Sequence, residues 1–269
     1  MIEVLKQYIA AEASSEKKAN LLRELLQLLF LKILHDKGYF AKIAFVGGTA
    51  LRVLYDTRRF SEDLDFSLID KKGYSFLAMI SALERELGLN GLKISAKTKI
   101  AKTVQSGMLK FPGLLQQLGL SAVKEQNLSI KIELDSNPPS GWQLENTLIN
   151  KTYVCNITHF ALPSLYATKL HACFFRKYIK GRDFYDLIWY LGKKIKPNYK
   201  LLNNAIKQTH GESPELGENN IKDFLLKKLE KIDFCAVKKD VERFLEDENE
   251  LKLLELSIIS KSVRDVFSL

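Results

Sequence analysis

Asp63 and Asp65 stand two positions apart in the run Ser61-Glu62-Asp63-Leu64-Asp65-Phe66, which begins twelve residues after Gly47-Gly48-Thr49. Carboxylates at i and i+2 of a strand share one face, roughly 7 Å apart. Hard divalent cations take such oxygens, keep several waters and are completed by substrate phosphates. A glycine pair opening a helix offers backbone N–H groups to a phosphate. Together these features point to nucleotide chemistry, because a metal pair on the aspartates can stabilise the attacking and leaving oxygens of an in-line nucleotidyl displacement. Glu133, on the polar face of a later alternating segment, supplies a third carboxylate. It is suited to holding the metal nearer the nucleophile and to helping deprotonate an acceptor hydroxyl.

Each feature also has a structural alternative. A lone D-x-D is commonly a solvated strand face, the glycines can make a tight turn with Thr49 as a helix cap, and Glu133 can pair with Lys131. Their order joins them into one site: strand, glycines, helix, acidic strand, later acidic strand.

The elements that must position these residues follow from periodicity. Residues 15–37 carry apolar clusters at helical spacing with Gly38 as the stop, predicting a helix. Lys42 to Val46 reads as a short strand and Thr49 to Tyr55 as a helix. Leu64 to Ile69 alternates apolar and polar residues, with both aspartates on the polar side. A helix over 74–89, strands over 93–99 and 102–111, and an alternating strand over 128–135 follow. Asn137-Pro138-Pro139-Ser140-Gly141 breaks regular structure, and Tyr153 to Ile157 adds a last strand. Beyond it, helices are predicted at 163–176, 182–191, from Pro197, and over 218–232, 234–247 and 250–267. The chain reads as α+β over 1–160 and all-α over 161–269, with no internal repeat.

Composition narrows the function classes. The chain has 269 residues, 46% hydrophobic and 27% charged, as in an ordinary soluble globular protein. No signal peptide is evident, and Leu25 to Leu34 is too short to span a bilayer, so a cytoplasmic protein without membrane contact is expected. Cys155, Cys173 and Cys235 are odd in number and widely spaced, which excludes a disulfide framework and predicts buried small hydrophobes. The four histidines form no ligand pair. Residues 91–200 hold 17 basic and 6 acidic side chains, a net +11, whereas 201–269 carries −3. Charge concentrated in this way suits a polyanion such as nucleic acid. Within it, residues 169–200 hold nine Lys or Arg and two acids beside Tyr178, Tyr185, Trp189, Tyr190 and Tyr199. Those rings could stack on unpaired bases or belong to the core, as the apolar face of Phe184, Leu187, Ile188 and Leu191 indicates for Phe184 and Trp189.

Gly47-Gly48-Thr49-Ala50-Leu51-Arg52 followed by Arg59-Phe60-Ser61-Glu62-Asp63-Leu64-Asp65-Phe66 resembles the first motif of the AbiEii/AbiGii-type nucleotidyltransferase toxins, including the MenT-like enzymes. Lys169-Leu170-His171-Ala172 and Arg182-Asp183-Phe184-Tyr185-Asp186-Leu187 resemble that family's second signature. The resemblance covers about residues 40–190. It implies a polymerase-β-like nucleotidyltransferase domain joined to a helical domain, using magnesium or manganese and an NTP. Relatives of this kind are toxins of toxin–antitoxin or abortive-infection systems, some of which add nucleotides to the 3′ end of tRNA.

Carried over residue by residue, Asp63 and Asp65 match the metal aspartates and, with Glu133, would form the metal set. Lys169 matches the triphosphate-contacting lysine, and Asp183 or Asp186 the acid of the last motif. Gly47, Gly48, Thr49, Arg59 and Ser61 would complete the nucleotide site. The expected partners are an NTP, RNA, most naturally a tRNA acceptor end, and a cognate antitoxin. Two other readings stay open: a non-catalytic RNA- or protein-binding module on the same fold, and nucleotidyl transfer to a small molecule or a protein hydroxyl. Without the resemblance, Lys169 would read as an exposed helix lysine, and Arg182, Asp183 and Asp186 as a surface salt bridge.

Overall fold

A computed structural model describes residues 1–12, 14–123 and 126–268. The chain divides into two compact units. The first comprises Met1–Asp56, Phe60–Asn137 and Glu145–His159, and the second comprises Thr57–Arg59, Pro138–Leu144 and the residues from Phe160 onward.

The first unit is built on a mixed sheet. Its strands are β1 (Ile43–Val46), β2 (Asp63–Leu68), β3 (Ser95–Lys99), β4 (Val104–Phe111), β5 (Leu128–Asp135), β6 (Leu144–Asn150) and β7 (Val154–Phe160), in the order β3-β4-β5-β2-β1-β7-β6. β1 runs antiparallel to β2 and parallel to β7, and β2 runs parallel to β5. β3 and β4 form the expected antiparallel hairpin. The helices of this part are α1 (Ile2–Ile9), α2 (Ser15–Asp36), α3 (Gly47–Tyr55), α4 (Phe76–Leu89) and the single turn α5 (Leu114–Gln117).

α2 starts where Ser14 accepts a hydrogen bond from the Lys17 N–H, as an N-cap serine does. Its leucines, with Phe30, join Phe45, Leu64, Phe66, Ile130, Ile132 and Leu134 in one core. β5 alternates buried and half-buried residues along its whole length, so Glu133 is held off the core side that Ile132 and Leu134 occupy. β2 alternates only as far as Phe66, since Ser67 is buried as well.

α1, α5 and β6 are additions to the elements the sequence predicts. β6 reads Leu-Glu-Asn-Thr-Leu-Ile-Asn and lies at a sheet edge with Ile149 its one buried residue, so it carries no apolar alternation to announce it. α1 buries only Leu5 and Ile9.

From Leu162 onward every described element is helical: α6 (Leu162–Phe175), α7 (Gly181–Gly192), α8 (Tyr199–His210), α9 (Ile221–Leu229), α10 (Phe234–Val241) and α11 (Leu256–Val266). The helix expected over 234–247 ends at Val241 and continues as one 3-10 turn. That expected over 250–267 is a 3-10 segment, Glu248–Leu253, followed by α11. α7 begins at a glycine because α10 lies against it: a Cβ at Gly181 would overlap the Val237 carbonyl and stand 3.0 Å from Val241 N. Phe184, Tyr185 and Tyr190 are core residues, and the Tyr166 and Tyr190 rings stack at 4.3 Å. Cys155 and Cys173 are buried as expected, but Cys235, in the first turn of α10, is exposed. No helix among the described residues is long and apolar enough to cross a membrane.

Candidate active site

In the first unit, β1 delivers the chain into α3 with Gly47 as the first helical residue, at φ +78°. β1 and β2 pair so that Val46 lies opposite Asp65, and this brings the helix start onto the aspartate. A Cβ at Gly47 would overlap Asp65 Oδ2 and stand 2.9 Å from the Asp65 Cβ and Cγ. The glycine is therefore required twice, by its left-handed backbone and by this approach. Thr49 is fully buried and its hydroxyl donates to the backbone carbonyl of Asp63. It thus ties α3 to β2 and does not cap the helix with its side chain. Gln27 of α2 donates to the Ser61 carbonyl at 3.0 Å, fixing the entry to β2 from the other side.

Asp63 and Asp65 are both half-buried, on the strand face opposite Leu64 and Phe66. The parallel register of β2 with β5 sets Asp63 beside Lys131 and Asp65 beside Glu133. Lys131 Nζ lies 2.7 Å from Glu133 Oε1. Burial would depress the Lys131 pKa. The hydrogen bond to Glu133, its charge and the charges of Asp63 and Asp65 outweigh that and hold the ammonium above its ordinary value. The face thus sets Lys131 among three carboxylates.

Two strand carboxylates on one face suit a hard divalent cation completed by phosphate and water. The three-carboxylate group expected from Asp63, Asp65 and Glu133 is not assembled: among the described residues no three His, Cys, Asp or Glu side chains stand close enough to hold a metal ion. Glu133 is paired with Lys131 instead.

In the second unit, Arg59, Lys169, Asp183 and Asp186 form a buried charge cluster. Arg59 is 1% exposed, and its guanidinium grips Asp186 through Nε (2.7 Å) and Nη2 (2.5 Å). Lys169 of α6 lies 2.7 Å from Asp183 and 2.8 Å from Asp186 of α7. Arg176 Nη1 adds a contact to Asp183 at 3.2 Å, and the Cys173 thiol donates to the Asp183 carbonyl at 3.4 Å. Burial works against every charge here. Even so, the two aspartates hold the Lys169 pKa above its ordinary value, and Lys169 and Arg176 hold Asp183 below its own. Asp183 and Asp186 are therefore interior carboxylates, not partners in a surface salt bridge. Arg182 is directed to an aromatic ring, its Cζ 4.1 Å from the Phe244 centroid.

The structure thus gathers Gly47, Thr49, Asp63, Asp65 and Glu133 around β2 of the first unit, and Arg59, Lys169, Asp183 and Asp186 in the interior of the second. Sequence reasoning offered Lys131 as a partner of Glu133, the pair that the structure forms, and missed Arg176 as a member of the cluster. Lys131 was legible as the i−2 neighbour of Glu133 on an alternating strand. Nothing local marks Arg176.

A family model described as nucleotidyl transferase AbiEii toxin, type IV TA system, matches residues 29–267. The chain belongs to the AbiEii nucleotidyl transferase toxin family. The match takes in both the carboxylate strand and the buried charge cluster. As a member the chain is a nucleotidyltransferase of a type IV toxin–antitoxin toxin family, a membership that implies an NTP as substrate and an antitoxin as partner. Among solved structures it is similar to a candidate nucleotidyltransferase from H. pylori, at 19% identity and TM-score 0.56, over 92% of this chain and 95% of that one. It is also similar to JHP933 from Helicobacter pylori, at 20% identity and TM-score 0.57, over 92% and 93% of the two chains. At these identities the likeness is one of fold. No curated protein matches the sequence.

Proposed function

We propose that this AbiEii enzyme transfers NMP from an NTP to an RNA 3′ hydroxyl, with a tRNA acceptor end as the natural substrate, and uses magnesium to do so. The observation that carries the reading is the packing of Gly47 against Asp65. It places the backbone N–H groups at the start of α3 beside the strand carboxylates, where a triphosphate needs both donors and a metal.

Asp63 and Asp65 would hold the ion, and its bound charge would supply electrostatic stabilisation to the oxygens of the transferring phosphoryl group. In the reaction the acceptor oxygen bonds to the α-phosphorus, the bond from that phosphorus to the bridging oxygen breaks, and pyrophosphate leaves. Glu133, beside Asp65 in register, would take the acceptor proton. Lys131 would neutralise the face until substrate arrives. Lys169, held between Asp183 and Asp186 within the second unit, would bind a phosphate oxygen only by giving up one of those carboxylates. Arg59 and Asp186 would hold the cluster in place while it does so.

Support for RNA as the acceptor comes from the +11 charge of residues 91–200. The reading is tested by incubating purified protein with each labelled NTP and total RNA. Label transferred to small RNA by wild type, and lost in Asp63→Ala and Asp65→Ala variants that retain the wild-type melting profile, supports it. Absence of label with all four NTPs refutes it.

A further inference from the structure

Between α6 and α7 the chain runs Arg176-Lys177-Tyr178-Ile179-Lys180, and all five residues are exposed. Tyr178 is 69% exposed, and the ring adds nothing to the core of the second unit. Lys177 Nζ stands 5.5 Å from the centroid of that ring. The residue before the loop, Phe175, belongs to a second aromatic group. Its ring is parallel to His171 (5.6 Å, 11°) and to Phe224 of α9 (5.8 Å, 10°). Lys228 lies 5.2 Å above Phe175 and 5.6 Å above Phe224. The carboxylate strand does not use these residues, and the buried cluster uses only Arg176.

We propose that the exposed loop 176–180 is an interaction surface for an unpaired nucleic-acid strand. The inference rests on the reading of RNA as acceptor and deepens it. A base offers a flat π-face to an exposed ring whatever its identity, and phosphates are drawn to cations spaced between the rings. The loop has that composition: three cations, one exposed aromatic and no acid. Asp183 takes up part of the charge of Arg176, and Lys177 and Lys180 remain on the surface. A duplex keeps its bases stacked inside and cannot offer them to Tyr178, so the surface selects single strands. An acidic protein segment would satisfy the lysines but leave the ring without a partner.

The experiment is fluorescence anisotropy with a labelled, unstructured RNA oligonucleotide on the full-length protein at several salt concentrations. Wild type is expected to bind the single strand better than a duplex of equal length. Tyr178→Ala should weaken binding by roughly 5- to 100-fold and Tyr178→Phe should leave it within about twofold, since stacking needs the ring and not the hydroxyl. Lys177→Ala with Lys180→Ala should reduce the slope of log K against log salt by about 1.4. Unchanged binding by Tyr178→Ala, equal affinity for duplex, or displacement of RNA by polyglutamate as readily as by unlabelled RNA would each overturn the proposal. Labelling of RNA by Tyr178→Ala with an unaltered KM for RNA would overturn this surface and leave the acceptor reading standing. Wild-type protein that neither binds nor labels RNA would remove both.

Discussion

Arg59 closes a bidentate ion pair on Asp186, 127 residues further along the chain, with Arg59 1% exposed and Asp186 fully buried. The backbone around it is held as well: Arg59 bridges to Leu245, and the Arg58 carbonyl accepts from the Glu246 N–H. Asp186 also contacts Lys169, so two cations share one carboxylate. Such a cluster leaves an uncompensated charge in the interior when one member is removed. Arg59→Ala and Asp186→Ala should each lower the free energy of unfolding by about 3–5 kcal/mol. The double replacement Arg59→Met with Asp186→Leu should cost less than the sum of the two single alanine variants. Urea denaturation of the three proteins measures this, and a double variant as unstable as that sum would show that the two charges are not coupled.

Gly47 has a second, independent test. With φ +78° and Asp65 in the way of a Cβ, Gly47→Ala should destabilise by about 1–3 kcal/mol and abolish nucleotide transfer by pushing α3 off the carboxylate strand. Gly73, at φ +67° with open space around it, is the control. Gly73→Ala should cost only the backbone term of about 1 kcal/mol and keep activity. Equal losses of activity in the two variants would refute the steric role given to Gly47.

Lys131 competes with any cation for the carboxylate face, being paired with Glu133 and felt by Asp63 and Asp65. Lys131→Met should therefore tighten Mn2+ binding to the protein by about threefold or more, as titration calorimetry without nucleotide would show. Weaker Mn2+ binding in that variant would mean that Lys131 organises the carboxylates instead of opposing the ion.

Acid stability should carry the signature of His171. Burial, with His210 and Arg176 nearby, pushes its pKa down to about 4 from the ordinary 6.5. Lys228, above the neighbouring Phe175 ring, adds a further positive charge to this surface. The unfolded chain then binds a proton that the native protein refuses, so the native state is favoured fully above pH 6.5 and loses that advantage as pH falls toward 4. The residue is half-buried, so solvent screening reduces the effect to about 1–2 kcal/mol. Tm should fall over this interval in wild type and fall less in His171→Gln. Parallel profiles for the two proteins would exclude His171 as the source. The depressed pKa of Asp183 acts lower: its contribution is present above the ordinary carboxylate range and is lost as pH falls below it.

Much of the carboxylate site was legible because it is local. Alternation around 63–66 and over 128–135 placed Asp63, Asp65 and Glu133 on polar faces, and β5 follows it throughout while β2 follows it as far as Phe66. The hairpin of β3 and β4 and the helices from Leu162 were readable for the same reason. β6 was not, because an edge strand with mostly exposed residues buries too little to impose a period. The aromatics of 169–200 divided in a way composition does not reveal. Tyr185 and Tyr190 went to the core and Tyr178 to the surface.

By itself the sequence determined the periods of its strands and helices, the two-residue spacing of the aspartates and the family motifs, since each depends on neighbours a few positions apart. Only the tertiary structure decided that Lys131 claims Glu133, that Gly47 lies on Asp65, and that Arg59, Lys169, Asp183 and Asp186 neutralise one another in the interior. Ion pairs form between whichever charges packing brings within about 4 Å, and packing joins residues as distant in the chain as Arg59 and Asp186.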